Sequence, residues 1–463
     1  MRAIAGGVMT GATVAATLTA CLAAPADCDD AARLFARHRD GGGLGSGVAA
    51  SASQQPRDPD DRHDARFRDA PGLVREALRF RGDAWLGRLR WFASHRTVAP
   101  GVLSPVTEGV VTIGAPTRLV EQGQGAPAVP ADHRVGALRA RDGRLLWSRS
   151  GESRGTGPGI QFAGVKELAA GFDLRTGGLR WCAEGGTRVD PGSVVAAGDG
   201  TVVTADLGGD TVTRIRLADG ERLWSARPQY ERREMSTPDH FTRLALGEGV
   251  VAAGTVETLA GNPGGELGVY RLADGRRLWR LYDPHPDDVD DHARGSAYTR
   301  QLLGIAGGGL VAVERHSGTP DAVQLTVYEA ATGRVRWTRE VPFDDSEEQQ
   351  FTIAGSLVLA EMDVPAPDED GTITGWRIAD GGKAWTLSYG YADGPDLTTA
   401  VVTGRHLYTK GSGGLIAIDL KRGAMSTTRA FRSAPISAMA AGDGVLVVQI
   451  ANLLLAFDLP RIG

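Results

Sequence analysis

The 463-residue chain carries 51 Lys and Arg against 56 Asp and Glu, a net charge of −5 that gives no reason to expect nucleic acid or an anionic membrane surface as a partner. Hydrophobic residues make up 42%, enough for a sizeable core, and the 64 glycines are about double ordinary usage. With no Gly-X-Y period, that excess means many tight turns and excludes collagen-like or wholly disordered classes.

Residues 1–26 run from one Arg through an uncharged stretch rich in Ala, Gly and Thr, the pattern of an export signal. Within it "LTAC" resembles a bacterial lipobox and makes Cys21 the candidate for lipidation. A cleaved secretory signal and an uncleaved anchor are the other readings, and all three place the rest of the chain outside the cytoplasm. Residues 27–84 read as a flexible tether, with a Gly/Ser-rich run followed by Pro and Asp. Apolar residues at helical spacing in "APGLVREALRF" predict a short amphipathic helix inside it. No later segment approaches the ~18 consecutive apolar residues that span a bilayer. The folded region is expected over residues 85–463.

From Trp85 the chain repeats itself, and repeats decide the reading of everything else. Copies end at Trp147 ("VGALRARDGRLLW"), Trp181 ("LAAGFDLRTGGLRW"), Trp224 ("VTRIRLADGERLW"), Trp279 ("LGVYRLADGRRLW"), Trp337 ("LTVYEAATGRVRW") and Trp385 ("TITGWRIADGGKAW"). A seventh, "LIAIDLKRGAMST", keeps the turn but has Thr427 where Trp is expected. In each copy an alternating run leads to a turn closed by glycine: Gly143, Gly177, Gly220, Gly275, Gly333, Gly381 and Gly423. Glycine takes the left-handed last position of a three-residue loop without strain, so each copy predicts a β-hairpin. Ahead of most copies lie two further apolar strands, such as "LALGEGVVAAGTV" and "FTIAGSLVLAEM". Four antiparallel strands per repeat is the pattern of a propeller blade.

The two ends of the repeat region complement one another. "PISAMAAGDGVLVVQIANLLLAFDLPRIG" supplies three strands and stops at its turn, while "GRLRWFAS" (87–94) is a fourth strand with no third before it. Gly87 and Trp91 keep the spacing of Gly333 and Trp337. The expectation is an all-β, closed β-propeller whose last blade is completed by an N-terminal strand, closure removing the edges of an open array. Counting fourth strands gives eight four-stranded blades. The second copy is short, and a strand missing there would leave seven.

These copies resemble the tryptophan-docking repeat A-x-D-x-x-T-G-K-x-x-W of the quinoprotein-like (PQQ-type repeat) β-propellers. The best local matches are Gly171-Phe172-Asp173 through Gly177 to Trp181, and Ala417-Ile418-Asp419 through Gly423, with Ala456-Phe457-Asp458 in the truncated last copy. In style the chain is similar to the envelope-lipoprotein propellers of the outer-membrane-assembly (BamB-like) type. The resemblance implies that Trp91, Trp147, Trp181, Trp224, Trp279, Trp337 and Trp385 dock neighbouring blades against the turn glycines. It also exposes a departure: Arg139, Arg216, Arg271 and Arg377, and Glu329 in another copy, stand where the pattern has Asp. The turn hydrogen bond of that Asp is then not assured, and a ring of Arg gripping an acidic ligand is the less favoured alternative to simple drift.

Little else points to chemistry. The quinone dehydrogenases of the superfamily would need a Ca²⁺ cage of carboxylates and amides and usually a vicinal Cys pair, whereas this chain has no Cys-Cys and only Asn262 and Asn452. Cys21, Cys28 and Cys182 form no CxxC or Cys/His cluster, which leaves a Cys28–Cys182 disulfide as an option in an oxidising compartment. "YDPHPDDVDDHARG" (282–295) is the most metal-like stretch, but it lacks the EF-hand glycine and glutamate positions. It reads as a solvated connection, as do "FDDSEEQQ" (343–350) and "DVPAPDEDG" (363–371), which together offer a partner-binding surface. The expected function is a non-catalytic, extracytoplasmic protein-binding or scaffolding module tethered to the cell envelope, monomeric, without nucleic acid, and touching membrane only through an N-terminal anchor. No cofactor or metal is expected. The alternatives are a PQQ- and Ca-dependent oxidoreductase using the central channel, or a ligand- or glycan-sensing surface.

Overall fold

Glycine-closed turns flanked by alternating apolar residues favour local hairpins, and the computed structural model stacks these hairpins into eight sheets. It describes residues 50–51, 71–82, 84–94, 102–120, 129–165, 168–184, 194–197, 200–205, 211–226, 241–255, 267–281, 298–316, 322–342, 350–363, 370–390, 394–411, 414–428, 431, 436–450 and 453–460. The export-signal and lipidation stretch, and most of the tether and the acidic connections named above, lie outside the described residues.

Seven sheets follow chain order with strands one to four side by side. Blade 1 begins at Val102–Leu103, blade 2 at Glu152–Gly157, blade 3 at Val194–Ala197 and blade 4 at Phe241–Gly247. Blades 5, 6 and 7 begin at Tyr298–Ala306, Phe351–Ala354 and Val401–Thr403. Blade 8 takes Ile436–Gly442, Val445–Ile450 and Leu453–Asp458 from the C-terminal end and Leu89–Ser94 from the N-terminal end, with Leu89 opposite Phe457 and Trp91 opposite Ala456. The short second copy keeps all four strands, Glu152–Gly157, Ile160–Val165, Leu168–Asp173 and Leu179–Glu184, so the count is eight and not seven.

The expectation of a closed architecture needs correction. The strands form eight separate sheets and none closes on itself. The strand-to-strand ladders stay within each blade, and blades meet through their side chains. Sheet edges are therefore not abolished by closure. On blade 8 the outer edge is instead covered by a fifth strand, Ala50–Ser51, in register with Phe92 and Trp91.

First strands of successive blades adjoin one another, as in blades 4 and 5 or 7 and 8, so they lie at the centre and fourth strands at the rim. Because the strands are antiparallel, the turns between strands one and two and between strands three and four share one end of each blade. We call this end the turn face. Between blades the packing is apolar: Val203, Val251, Ala253 and Trp224 fill one seam, and Val311, Val327, Val358 and Trp337 another.

The seam between blades 7 and 8 is built differently. Helix α1 (Pro71–Arg79), with proline in its first turn where a missing N–H costs nothing, lies against it. Ala77 is fully buried, and Leu73, Leu78 and Phe80 pack beside Trp85, Leu86, Phe92 and Phe457. Trp85 reaches Tyr408 of blade 7 at 6.0 Å between ring centroids, and Phe80 meets Phe457 of blade 8 edge-on at 6.0 Å. The Glu76 carboxylate accepts the Phe431 N–H at 2.7 Å.

Candidate functional site

Each repeated indole reaches the turn of the following blade. Trp91 Nε1 of blade 8 donates to the Ala140 carbonyl of blade 1 at 2.6 Å, Trp147 to Leu174 at 2.9 Å, and Trp181 to Leu217 at 2.6 Å. Trp224 donates to Leu272 at 2.7 Å, Trp279 to Ala330 at 2.8 Å, Trp337 to Ile378 at 2.9 Å and Trp385 to Leu420 at 2.8 Å. The acceptor is always the residue three before the turn glycine. That glycine has φ between +66° and +75° in all seven turns, a region that disfavours a side chain.

The glycine is also required for space. A Cβ on Gly220 would lie 2.7 Å from the Trp181 ring, and one on Gly423 would lie 2.6 Å from Trp385. Trp181 is pressed from its own blade as well, since a Cβ on Gly171 would stand 2.4 Å from it. Two arginines placed two residues after the indole, Arg149 and Arg339, donate to the Gly177 and Gly381 carbonyls at 2.6 and 3.2 Å. Blade 7 carries Thr427 at the indole position, and this is the seam that α1 and Trp85 fill. Sequence reasoning missed Trp85; its only signal is a Trp just ahead of Trp91 with no hairpin of its own.

The substituted third position turns out to be one half of an exchange. Where Asp is retained, its carboxylate accepts from the turn: Asp173 takes the Thr176 N–H at 2.8 Å and hydroxyl at 2.9 Å, and Asp419 takes the Lys421 N–H at 2.9 Å. Where Arg replaces it, an Asp stands three residues later and the guanidinium pairs with it. The pairs are Arg139–Asp142 (3.1 Å), Arg216–Asp219 (2.8 Å), Arg271–Asp274 (2.8 Å from Nε) and Arg377–Asp380 (3.0 Å). The relocated carboxylate still accepts a turn N–H, from Arg144, Glu221, Arg276 and Gly382 respectively. Glu329 uses the third solution and accepts from the Thr332 hydroxyl at 2.6 Å. The turn bond that the substitutions put in question is thus kept by moving the acid, and each Arg is committed inside its own turn.

These contacts set the ionisation of the carboxylates. The Arg271 guanidinium, with the Arg276 N–H, holds Asp274 down to about 2. Burial would raise Asp173, but Arg180 and Thr176 outweigh it and bring it to about 2. Asp380 is lowered by the Gly382 N–H and by Arg377, and Glu329 by the Thr332 hydroxyl. All are fixed anions, unsuited to exchanging protons near neutral pH.

A second buried polar group lies in blade 5. Glu314 accepts from Arg300 Nε at 2.7 Å, from the Thr326 hydroxyl at 3.0 Å and from the Tyr328 hydroxyl at 2.5 Å. Arg300 comes from the first strand of the blade and Thr326 and Tyr328 from the third, so the carboxylate on the second strand pins both its neighbours and is satisfied while buried. In blade 6 the Tyr389 hydroxyl donates to Glu361. Among the described residues no group of three or more His, Cys, Asp or Glu side chains could hold a metal ion. Cys182 is disulfide-bonded, and Cys21 and Cys28 lie outside the described residues. Among the described residues no helix is long and apolar enough to cross a membrane.

A family model described as outer membrane protein assembly factor BamB (PQQ_2) matches residues 131–322 and 263–458. Among solved structures the chain is similar to BamB from Moraxella catarrhalis, at 16% identity and TM-score 0.45 over 77% of this chain and 100% of that one. It is similar to quinohemoprotein alcohol dehydrogenase ADHIIG from Pseudomonas putida HK5 at 14% identity and TM-score 0.45, over 81% and 76%. Sqt1 from Saccharomyces cerevisiae matches at 10% identity and TM-score 0.50, over 80% and 98%. What is shared at these identities is the fold. No curated protein matches the chain.

Proposed function

Because the chain belongs to the PQQ-repeat propeller family described as outer membrane protein assembly factor BamB, we propose that it is a non-catalytic, extracytoplasmic propeller that binds and positions other proteins at the cell envelope. The family match carries this reading, since it runs through the propeller from residue 131 to residue 458. The repeat chemistry agrees with it: the indoles, the turn carboxylates and their arginines are spent on joining blades and bracing turns. A propeller face held rigid in this way suits protein recognition, because little order has to be created on binding. In this reading Cys21 carries the lipid that tethers the module.

The test is crosslinking in the native envelope followed by mass spectrometry of co-purifying proteins and of the mature N-terminus. One envelope protein recovered in stoichiometric amount, with a lipid-modified Cys21, is the expected result. Retention of PQQ with its absorbance after Ca²⁺ reconstitution and gel filtration, coupled to dye reduction, would replace this reading with an oxidoreductase.

A further inference from the structure

The small net charge hides a segregation that folding creates. The three residues between each turn glycine and the docking position start the fourth strand, at the rim and at the turn face. In six blades this stretch places an exposed basic side chain there: Arg88 in blade 8, Arg144 in blade 1, Arg222 in blade 3, Arg276 in blade 4, Arg334 in blade 5 and Lys383 in blade 6. Blade 2 adds Arg180, paired with Asp173, and only blade 7 (Ala424-Met425-Ser426) has none. Among the described residues Arg88, Arg144, Arg222, Arg276 and Lys383 have no carboxylate within salt-bridge distance.

The acids of the same face are largely cancelled locally. The turn aspartates hold the arginines of their own turns, Asp458 holds Arg90, and Glu221 beside Arg222 holds Arg216 at 2.5 Å. Glu108 lies 3.8 Å from Arg175, while Asp443, which accepts the neutral Gly109 N–H at 2.7 Å, and exposed Glu248 stay as isolated anions of this face, fewer than the basic groups. Of the rim, Arg180 and Arg334 are paired with Asp173 and Glu329, and Arg276 also acts on Asp274, which leaves the rim with an excess of positive charge rather than a balance. Each Trp bond fixes the following turn level with the preceding fourth strand, so the basic groups sit at one height around a disc. A compact acidic peptide would meet one or two of them, whereas a flat anionic layer meets them together.

We propose that the turn face of the propeller lies against an anionic phospholipid surface, held by this basic collar in addition to any N-terminal anchor. The proposal rests on the envelope placement argued above. Attraction of Lys and Arg to such a surface acts over about 10 Å at ordinary ionic strength, which requires the collar to lie close to the lipid.

Arginine modification by phenylglyoxal, read by mass spectrometry, tests this on the full chain with phosphatidylcholine vesicles containing or lacking phosphatidylglycerol. Modification of Arg88, Arg144, Arg222 and Arg276 should slow about threefold or more with phosphatidylglycerol only, and recover at high salt. Equal modification with both vesicles overturns the proposal. Protection in the native envelope without protection by phosphatidylglycerol vesicles also overturns it, and assigns the face to an acidic protein. A variant combining Arg144→Gln, Arg222→Gln, Arg276→Gln and Lys383→Gln should keep its melting temperature and bind phosphatidylglycerol vesicles about tenfold more weakly. Unchanged binding by a folded variant overturns the proposal. Failure of the scaffold reading would leave these outcomes unmoved, because the vesicles contain no protein partner.

Discussion

The Gly87 N–H donates to the Asp458 carbonyl at 2.7 Å, and the Asp458 N–H returns to the Arg88 carbonyl at 3.1 Å. In blade 2 the same two bonds lie inside one continuous turn, Gly177 to Asp173 at 2.8 Å and Asp173 to Gly178 at 2.8 Å. The last hairpin of the propeller is therefore cut within its turn, and two distant parts of the chain supply the halves. A Cβ on Gly87 would stand 2.6 Å from Asp458 Cβ. Gly87→Ala should cost about 1–3 kcal/mol in thermal or denaturant unfolding. Gly390→Ala, where the nearest atom lies 3.9 Å away, should stay within about 0.5 kcal/mol. Equal melting temperatures for the two variants would mean that the divided turn is not needed.

Trp181 is fully buried and clamped between Gly171 and Gly220. Trp181→Ala should lose about 3–5 kcal/mol through the cavity it leaves. Trp181→Phe keeps most of the packing but forfeits the bond to Leu217, and should lose distinctly less. Chemical denaturation of the three proteins side by side checks the order.

Restoring the repeat pattern at Thr427 should not help. The space an indole would take between blades 7 and 8 belongs to α1 and Trp85. Thr427→Trp is expected to lower stability by about 1–3 kcal/mol through overpacking, while Trp85→Ala loses about 3–5 kcal/mol. A stabilised Thr427→Trp protein would show that the helix does not occupy the docking position.

The braced turns predict a specific acid response. Asp274 titrates at about 2 in the fold, below the ordinary carboxylate value of about 3.9. Its contribution is thus complete above about pH 4 and is lost as pH falls toward 2. Arg271→Gln should raise the Asp274 pKa and flatten that window by removing the contribution present above about pH 4, a small loss because the pair is exposed, while stability near pH 2 stays the same. Converting one turn type to the other supplies a second test. Arg216→Asp and Asp219→Thr should each destabilise alone, and together should recover most of the loss by copying Asp173 and Thr176. Additive losses in that double-mutant cycle would refute the exchange.

How much of this was legible follows from what each signal depends on. The glycine turns and the Gly-to-Trp spacing are local, because a left-handed residue and a hairpin register are set within a few positions of the chain. Those led to eight hairpins and to the pairing of residues 87–94 with the C-terminal strands, while the docking role expected of the indoles came from the family resemblance. The Arg–Asp exchange was also written locally, in the three-residue step from Arg216 to Asp219, but a pattern that expects Asp first reads it as loss.

Other features had no local signature. The separate, unclosed sheets, the plug of α1 and Trp85 where Thr427 leaves a gap, and the basic collar all depend on which residues the blades bring to one seam or one level. Net charge averages over the chain, whereas a surface responds to charges within about a Debye length of it. Sequence by itself determined the repeating unit and its turns, since backbone sterics and short-range hydrogen bonds act along the chain. Only tertiary structure decided what fills the odd seam and where the charge lies, since packing and long-range electrostatics act between residues that the chain order keeps apart.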